Sequence, residues 1–168
     1  MEFHHGYRPN ALREVVVGAA AGLAAAYAMN QFQALWSKYG ERLGLPQPSG
    51  GGEPATVKAA DLAAEAATGA PVPAERREPA GEVVHYATGA ALGAAYGVLA
   101  SSVRGANLGS GLPFGAAAYL LLDERVVPAL RLGPPADETD RDTKVYAVAS
   151  HLFFGFVTDA VRRLLGGC

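Results

Sequence analysis

Apolar stretches without charge alternate with polar stretches along this chain. The first apolar stretch runs from Val15 to Ser37, and the second runs from Val83 to Val103 with His85 as its only basic or acidic residue. Each is long enough to cross the hydrocarbon core of a bilayer, which takes about 20 residues. We interpret the first stretch as a retained span, because it continues well past the length of a signal peptide.

The second half of the chain follows the same pattern less regularly. Residues 111–122 are apolar but too short to span, and extension to Leu130 brings Asp123, Glu124 and Arg125 into the segment. Another apolar stretch begins at Val145. The pattern therefore predicts an all-α integral membrane bundle, with residues 1–168 as a single membrane domain. We expect four transmembrane helices, over approximately 12–37, 83–103, 110–130 and 145–165.

A polar loop, residues 38–82, separates the first two predicted spans. Within it, Pro54 to Thr68 is typical of a short helix that begins after Glu53 and stops at Gly69. The prolines that follow predict an extended chain up to the second span. Most of the lysine and arginine residues lie in the two long loops, which favours a cytoplasmic location for these loops and puts both termini on the opposite side.

Glycines recur at intervals of four residues in the first two predicted spans. Gly18 and Gly22 form one such pair, and Gly89, Gly93 and Gly97 form a stripe along one helix face. Glycine inside a helix costs about 1 kcal/mol relative to alanine, but in lipid it lets two helix backbones approach closely. We therefore expect these five glycines to be helix-packing positions, with the stripe facing another helix.

Polar residues inside spans are costly, and each is a candidate functional residue. With a rise of 1.5 Å per residue, all of them lie about 5–10 Å inside their spans on the side of the long loops. We expect one polar pocket opening to that side, and such a pocket suits a proton sensor or relay because histidine titrates near neutral pH. The alternative is that each residue faces lipid head groups separately. The residues of this predicted polar cluster are Asn30, His85, Asp123, Glu124 and His151.

Two further expectations concern the third and fourth spans. Pro128 lacks a backbone N–H and disfavours helix at the preceding residue, which predicts a kink or helix end within a turn of Val127. Backbone carbonyls over residues 122–124 would then be free. Asp159 lies about 12 Å beyond His151 along a helix, and we expect it to be interfacial together with Arg162 and Arg163.

Composition excludes several classes of protein. The chain has 14 Lys and Arg residues against 16 Asp and Glu residues, and this net charge of −2 gives no reason to expect a nucleic-acid partner. The one cysteine, Cys168, cannot form an internal disulfide or a cysteine metal site. Because the sequence also has no phosphate-binding loop, serine elbow or cysteine pair, we predict neither an enzyme nor a bound cofactor.

One set of short motifs is spread over nearly the whole chain. It comprises residues 52–58 (GEPATVK), His85-Tyr86, Gly89, Gly93, Tyr96-Gly97, Asp123-Glu124, residues 127–130 (VPAL), Pro134-Pro135, His151-Leu152 and Gly155. In these motifs the sequence resembles the YagU-like family of bacterial inner-membrane proteins. This resemblance implies a multi-span protein of the inner membrane, without an established activity and with a loose association with acid tolerance. Arg131 departs from the small residue expected after the third-span proline segment.

Three hypotheses for function remain open at this stage. The first is a small proton-responsive or proton-conducting membrane protein that uses the polar cluster. The second is a non-catalytic accessory or assembly subunit whose glycine stripes bind a partner helix, either in a second copy of the chain or in another membrane protein. The third is a metal or haem protein that uses His85 and His151. In all three, the lipid bilayer is the surrounding partner.

Overall fold

The computed structural model describes residues 10–49, 52–103, 105–106, 108–135 and 137–166, so that Cys168 lies outside the described residues. Within this part of the chain the structure is helical and contains no β-strand. Three short 3₁₀- or π-helical segments connect or extend the α-helices, at Glu41–Leu43, Ala74–Arg76 and Leu122–Val126. The α-helices are α1 (Ala11–Tyr39), α2 (Ala55–Thr68), α3 (Arg77–Ser102), α4 (Leu112–Leu121), α5 (Val127–Ala129) and α6 (Arg141–Leu164).

Local capping explains where several helices begin and end. The Asn10 side chain accepts hydrogen bonds from the backbone N–H groups of Leu12 and Arg13, which have no partner inside α1. Asp140 caps α6 in the same way by accepting from the N–H of Thr143 at 2.9 Å. Gly69 ends α2 in a left-handed conformation that glycine adopts without strain.

Helices α1 and α3 pack antiparallel through glycines. The Cβ of a larger residue at Gly18 would meet the carbonyl oxygen of Gly93, and one at Gly22 would meet that of Gly89. The register continues to Gly97, which faces the carbonyl oxygen of Glu14. All five glycines are thus packing positions, and the stripe on α3 faces α1 at backbone contact distance.

A second glycine contact joins α4 to α6. Gly111 lies against the backbone of Gly155, and Gly115 lies against the backbone of His151. A Cβ at Gly155 would lie only 2.6 Å from the backbone nitrogen of Gly115. The chain therefore forms two antiparallel helix pairs of similar construction, α1 with α3 and α4 with α6.

Packing of α1 against α6 joins the two pairs. The rings of Phe32 and Phe153 stack at 4.7 Å, and Trp36 meets Tyr146 edge-on at 5.8 Å. The small core beside them consists of Ala25, Ala26 and Met29 from α1 and Phe154 from α6. Because most α1 core residues are small, α1 approaches both of its neighbours closely.

The third predicted span ends in a π-helical turn. The N–H of Val127 donates to the carbonyl of Leu122, five residues back, and Pro128 then opens the short helix α5, which ends at Ala129. A helix end thus lies within a turn of Val127. The expectation of free carbonyls is wrong at Leu122, because the wider π turn supplies that carbonyl with a donor.

Other boundaries differ from the sequence-based expectation. Helix α3 begins at Arg77 rather than near residue 83, since Pro79 occupies the first helical turn, where its missing N–H costs nothing. In α2 the buried apolar side chains are Val57, which packs against Gly81, and Ala60, whereas Leu62 is exposed.

Among the described residues, two helical segments, rather than the predicted four, are long and apolar enough to cross a membrane by length and composition. They are Ala11–Tyr39 and Ala74–Ser102. The segment around α4 is interrupted by Asp123, Glu124 and Arg125, and α6 carries charged residues in its first and last turns, which lowers the hydropathy of both.

Candidate functional site

A histidine and a carboxylate of the predicted polar cluster meet between α4 and α6. The Nδ1 atom of His151, a buried residue of α6, lies 3.7 Å from the Oδ2 atom of Asp123. Asp123 belongs to the π-helical turn that follows α4, and its side chain is 34% exposed. The pair therefore joins a buried imidazole to a carboxylate that water can reach.

The π turn also carries the second acidic residue of the site. In this turn Glu124 accepts a hydrogen bond from the hydroxyl of Tyr119, a buried residue of α4. The Tyr119 ring in turn lies edge-on to the His151 imidazole at 5.9 Å. Tyr119 therefore contacts both parts of the site.

The surroundings of His151 decide which ring nitrogen carries a proton when the ring is neutral. Nδ1 lies 3.0 Å from the carbonyl oxygen of Ala147 and near Asp123, and both of these groups are acceptors. Nδ1 is therefore assigned as the donor, and the second proton enters at Nε2. Protonation then creates an imidazolium next to the Asp123 carboxylate.

Asp123 and Glu124 also line a cavity of about 280 Å³, here called the loop-side cavity. Its walls come from the start of α2, the π turn, the segment after α5 and the first turns of α6. They include Glu53, Lys58, Tyr119, Leu132, Gly133, Thr139, Thr143, Lys144 and Ala147. This cavity gives solvent and small solutes access to the Asp123 side of the pair.

Hydrogen bonds between the loops hold the walls of the cavity together. The backbone N–H of Ser49 donates to the Thr143 hydroxyl at 3.1 Å, and the Ser49 hydroxyl donates to Asp140. Hydrogen bonds from Ser49 and then from Thr143 hold the pKa of the Asp140 carboxyl well below its usual range. On the other wall, Arg77 pairs with Glu53 at 2.9 Å and with Asp61, which lowers the pKa of Asp61 through its hydrogen bond to Arg77.

The other two residues of the predicted polar cluster lie at the contact between α1 and α3. The Asn30 amide donates to Glu82 Oε2 at 3.2 Å, and His85 Nε2 lies 3.2 Å from the carbonyl oxygen of Ala26. Among the described residues that line the loop-side cavity, only Asp123 and Glu124 come from the predicted cluster. The five residues therefore form two local groups, one in each helix pair.

A buried ionic group lies further along α6, and the sequence interpretation missed it. Asp159 and Arg162 are buried rather than interfacial, and Glu14 of α1 is buried beside them. Asp159 accepts from the Tyr96 hydroxyl at 2.9 Å and from Arg163 Nε at 2.7 Å. Arg162 lies 3.5 Å from Asp159 and 3.9 Å from Glu14.

One signal for this group was present in the sequence. Asp159, Arg162 and Arg163 are spaced three and four residues apart, which puts them on neighbouring positions of one helix face. The partners Glu14 and Tyr96 come from other helices, and spacing along the chain does not reveal them. The group neutralises charges at the end of the bundle opposite to the loop-side cavity.

Metal binding receives no support from the described residues, in which no group of three or more His, Cys, Asp and Glu side chains is arranged to hold a metal ion. Comparison of the chain with protein-family models, with curated proteins and with solved structures gave no match.

Proposed function

We propose that this protein is a four-span protein of a bacterial inner membrane that responds to protons through the His151–Asp123 pair, with a role in acid tolerance. The observation that carries the proposal is a buried imidazole next to a carboxylate that is open to the loop-side cavity. Histidine changes its charge near neutral pH, so a fall in pH converts this contact into an ion pair. The resemblance to YagU-like proteins agrees with this proposal.

The surface of the long helices supports a membrane location. Only 39% of the most apolar window of α1 and 22% of that of Ala74–Ser102 is buried inside the structure, whereas a core helix of a water-soluble protein is mostly buried. Large apolar side chains such as Leu23, Val83 and Leu120 are exposed on three different helices. Exposed apolar surface of this kind is stable when lipid covers it.

The packing of the second helix pair supports the proposal of two further spans. Helix α6, with 24 residues, is about 36 Å long and packs along α1, while α4 packs along α6. Since α1 is a candidate span, α6, which lies antiparallel to it, and α4, which lies antiparallel to α6, are expected to cross the same layer. The charged residues of α6 within this layer are partnered in the buried ionic group, which reduces the cost of their burial in lipid.

The accessory-subunit hypothesis loses its main support. Its argument was that the glycine stripe of α3 offers a bare surface to a partner helix, but that stripe is occupied by α1. Proton response is therefore the function that we retain.

The test compares thermal unfolding in detergent from pH 8 to pH 5. We expect the stability of the parent protein to depend on pH in this range in a way that both site variants lack, because only the parent places an imidazole 3.7 Å from a carboxylate. The pH dependence should be reduced in His151→Gln and in Asp123→Asn. The matched control is His85→Gln, since the ring of His85 faces the uncharged carbonyl of Ala26 and not a carboxylate.

Proton flux into liposomes, measured with an internal pH dye, separates sensing from conduction. Loss of flux in His151→Gln would assign conduction, whereas a pH-dependent stability without flux would assign sensing. If the parent and both site variants share one pH profile between pH 5 and 8, the proposal is wrong.

A further inference from the structure

The loop-side cavity holds charges of both signs. Lys58 of α2 and Lys144 of α6 line it together with Asp123 and Glu124 of the π turn. Both lysines are half-buried, and within the described part of the chain neither makes an ion pair or a side-chain hydrogen bond. Lysine side chains that line a cavity and lack a protein partner are available to bind a ligand.

The remaining polar groups of the wall are already engaged. Glu53 pairs with Arg77, the Thr143 hydroxyl donates to Asp140, and the Thr139 hydroxyl donates to the carbonyl of Pro135. The side-chain groups left for a ligand are therefore the two ammonium groups and one oxygen of each carboxylate, because Asp123 Oδ2 faces His151 and Glu124 Oε1 accepts from Tyr119.

This distribution of charge selects the class of ligand. A simple anion would be attracted by the lysines but repelled by Asp123 and Glu124. A simple cation would be attracted by these two carboxylates but repelled by the lysines. A zwitterion can satisfy both groups at once. The volume of about 280 Å³ lies at the lower end of ordinary ligand pockets, which hold roughly 300–1,000 Å³, so that the ligand must be small.

We propose that the loop-side cavity binds a small zwitterion that carries a primary ammonium group and an anionic group. The ammonium group pairs with Asp123 and Glu124, and the anionic group pairs with Lys58 and Lys144. Soluble phosphoethanolamine has this chemistry, and so does the headgroup of phosphatidylethanolamine. The inference rests on the proposed function, because the lipid source requires a membrane location and Asp123 takes part in both sites.

The first arm of the test uses soluble probes with the full-length protein in dodecyl maltoside at pH 7.5. Phosphoethanolamine is titrated calorimetrically and compared with inorganic phosphate and with ethanolamine, each of which carries charge of one sign. We expect the zwitterion to bind at least about tenfold more tightly than either, because it adds a second charge-assisted contact.

The second arm uses nanodiscs of phosphatidylethanolamine or of phosphatidylglycerol. If the ligand is a lipid headgroup, phosphatidylethanolamine should stay bound in native mass spectrometry and phosphatidylglycerol should not. Selective binding in either arm supports the proposal and identifies the source. Equal binding of single-charge and zwitterionic probes, or no binding in both arms, overturns it.

Variants test the assignment of residues. Lys144→Gln and Asp123→Asn should each weaken binding at least about tenfold, and they lie on different segments, so that a folding defect in one leaves the other informative. Lys38→Gln is the matched control, because Lys38 is an exposed lysine outside the cavity wall. Unchanged affinity in both cavity variants contradicts the proposal.

Failure of this inference can be distinguished from failure of the proton response. Binding is measured at one fixed pH, whereas the pH profile of stability is measured without any probe. A protein that keeps its pH profile but binds no zwitterion would retain the proposed function and lose this ligand.

Discussion

Asp159 illustrates how single residues are positioned by partners distant in the sequence. Its carboxylate accepts hydrogen bonds from Tyr96 of α3 and Arg163 of α6, and it lies 3.5 Å from Arg162. Arg162 also lies 5.7 Å above the Tyr96 ring, which favours a cation. A buried charge is tolerated only with such partners, so this group fixes how α3 and α6 meet.

The residue-scale prediction concerns the cost of removing this carboxylate. Asp159→Ala should lower the free energy of unfolding by about 3–5 kcal/mol, because it leaves the buried Arg162 without this carboxylate and the Tyr96 hydroxyl without its acceptor. The measurement is an unfolding titration in mixed micelles.

Arg163→Gln is the matched control for this prediction. The Arg163 side chain is 52% exposed, so that solvent screens its contact with Asp159 and the expected loss is at most about 1 kcal/mol. Equal small losses in both variants would show that the buried ionic group contributes little to stability.

At the scale of the helices, contacts between glycines set how the two helices of each antiparallel pair are aligned. Gly18 meets Gly93 and Gly22 meets Gly89, so that a step of four residues forward on α1 matches four residues backward on α3. In lipid, where apolar side chains gain little by leaving the solvent, close backbone contact supplies the dispersion energy that holds helices together.

The element-scale prediction replaces a glycine of each contact. Gly93→Leu should lower the thermal unfolding temperature in detergent, since its Cβ would lie 2.6 Å from the Cα of Gly22 and force α1 and α3 apart. Gly155→Leu should do the same for α4 and α6. Overpacking of this kind typically costs about 1–3 kcal/mol or more.

Ala87→Leu provides the control on α3, because Ala87 is exposed on the same helix. A Gly93→Leu protein as stable as Ala87→Leu would argue against close contact between α1 and α3.

For the whole molecule, the prediction concerns the number of membrane crossings. In the part of the chain that the structure describes, two segments meet the criteria of length and composition, whereas the proposal requires four. The two topologies differ in the location of the loop between α5 and α6. If the protein has four spans, this loop lies on the same side of the membrane as the loop after α1. If it has two spans, this loop lies on the same side of the membrane as the end of α3.

Single cysteines in a Cys168→Ser background distinguish these topologies. Glu41→Cys reports on the loop after α1, Glu138→Cys on the loop before α6, and Ser102→Cys on the end of α3; all three positions are exposed. With a membrane-impermeant maleimide on intact cells, we expect Glu41→Cys and Glu138→Cys to be protected and Ser102→Cys to be labelled. Labelling of Glu138→Cys together with Ser102→Cys would indicate two spans.

The sequence by itself determined the helical class and the approximate location of the helices. Long apolar stretches without charge have few alternatives to helix, because apolar surface and backbone hydrogen bonds must both be satisfied. The spacing of four residues between Gly89, Gly93 and Gly97 likewise indicated a helix face suited to close packing. These features are local, and the chain around each residue is enough to recognise them.

Only the tertiary structure decided which polar residues meet. Depth along a helix placed Asn30, His85, Asp123 and His151 at one level, but the way in which the helices pack divided them between two helix pairs, with His85 against α1 and Asp123 against His151 of α6. The same packing buried Glu14 with Arg162, two residues 148 positions apart. Such contacts depend on the relative orientation of whole helices, which no short stretch of sequence specifies.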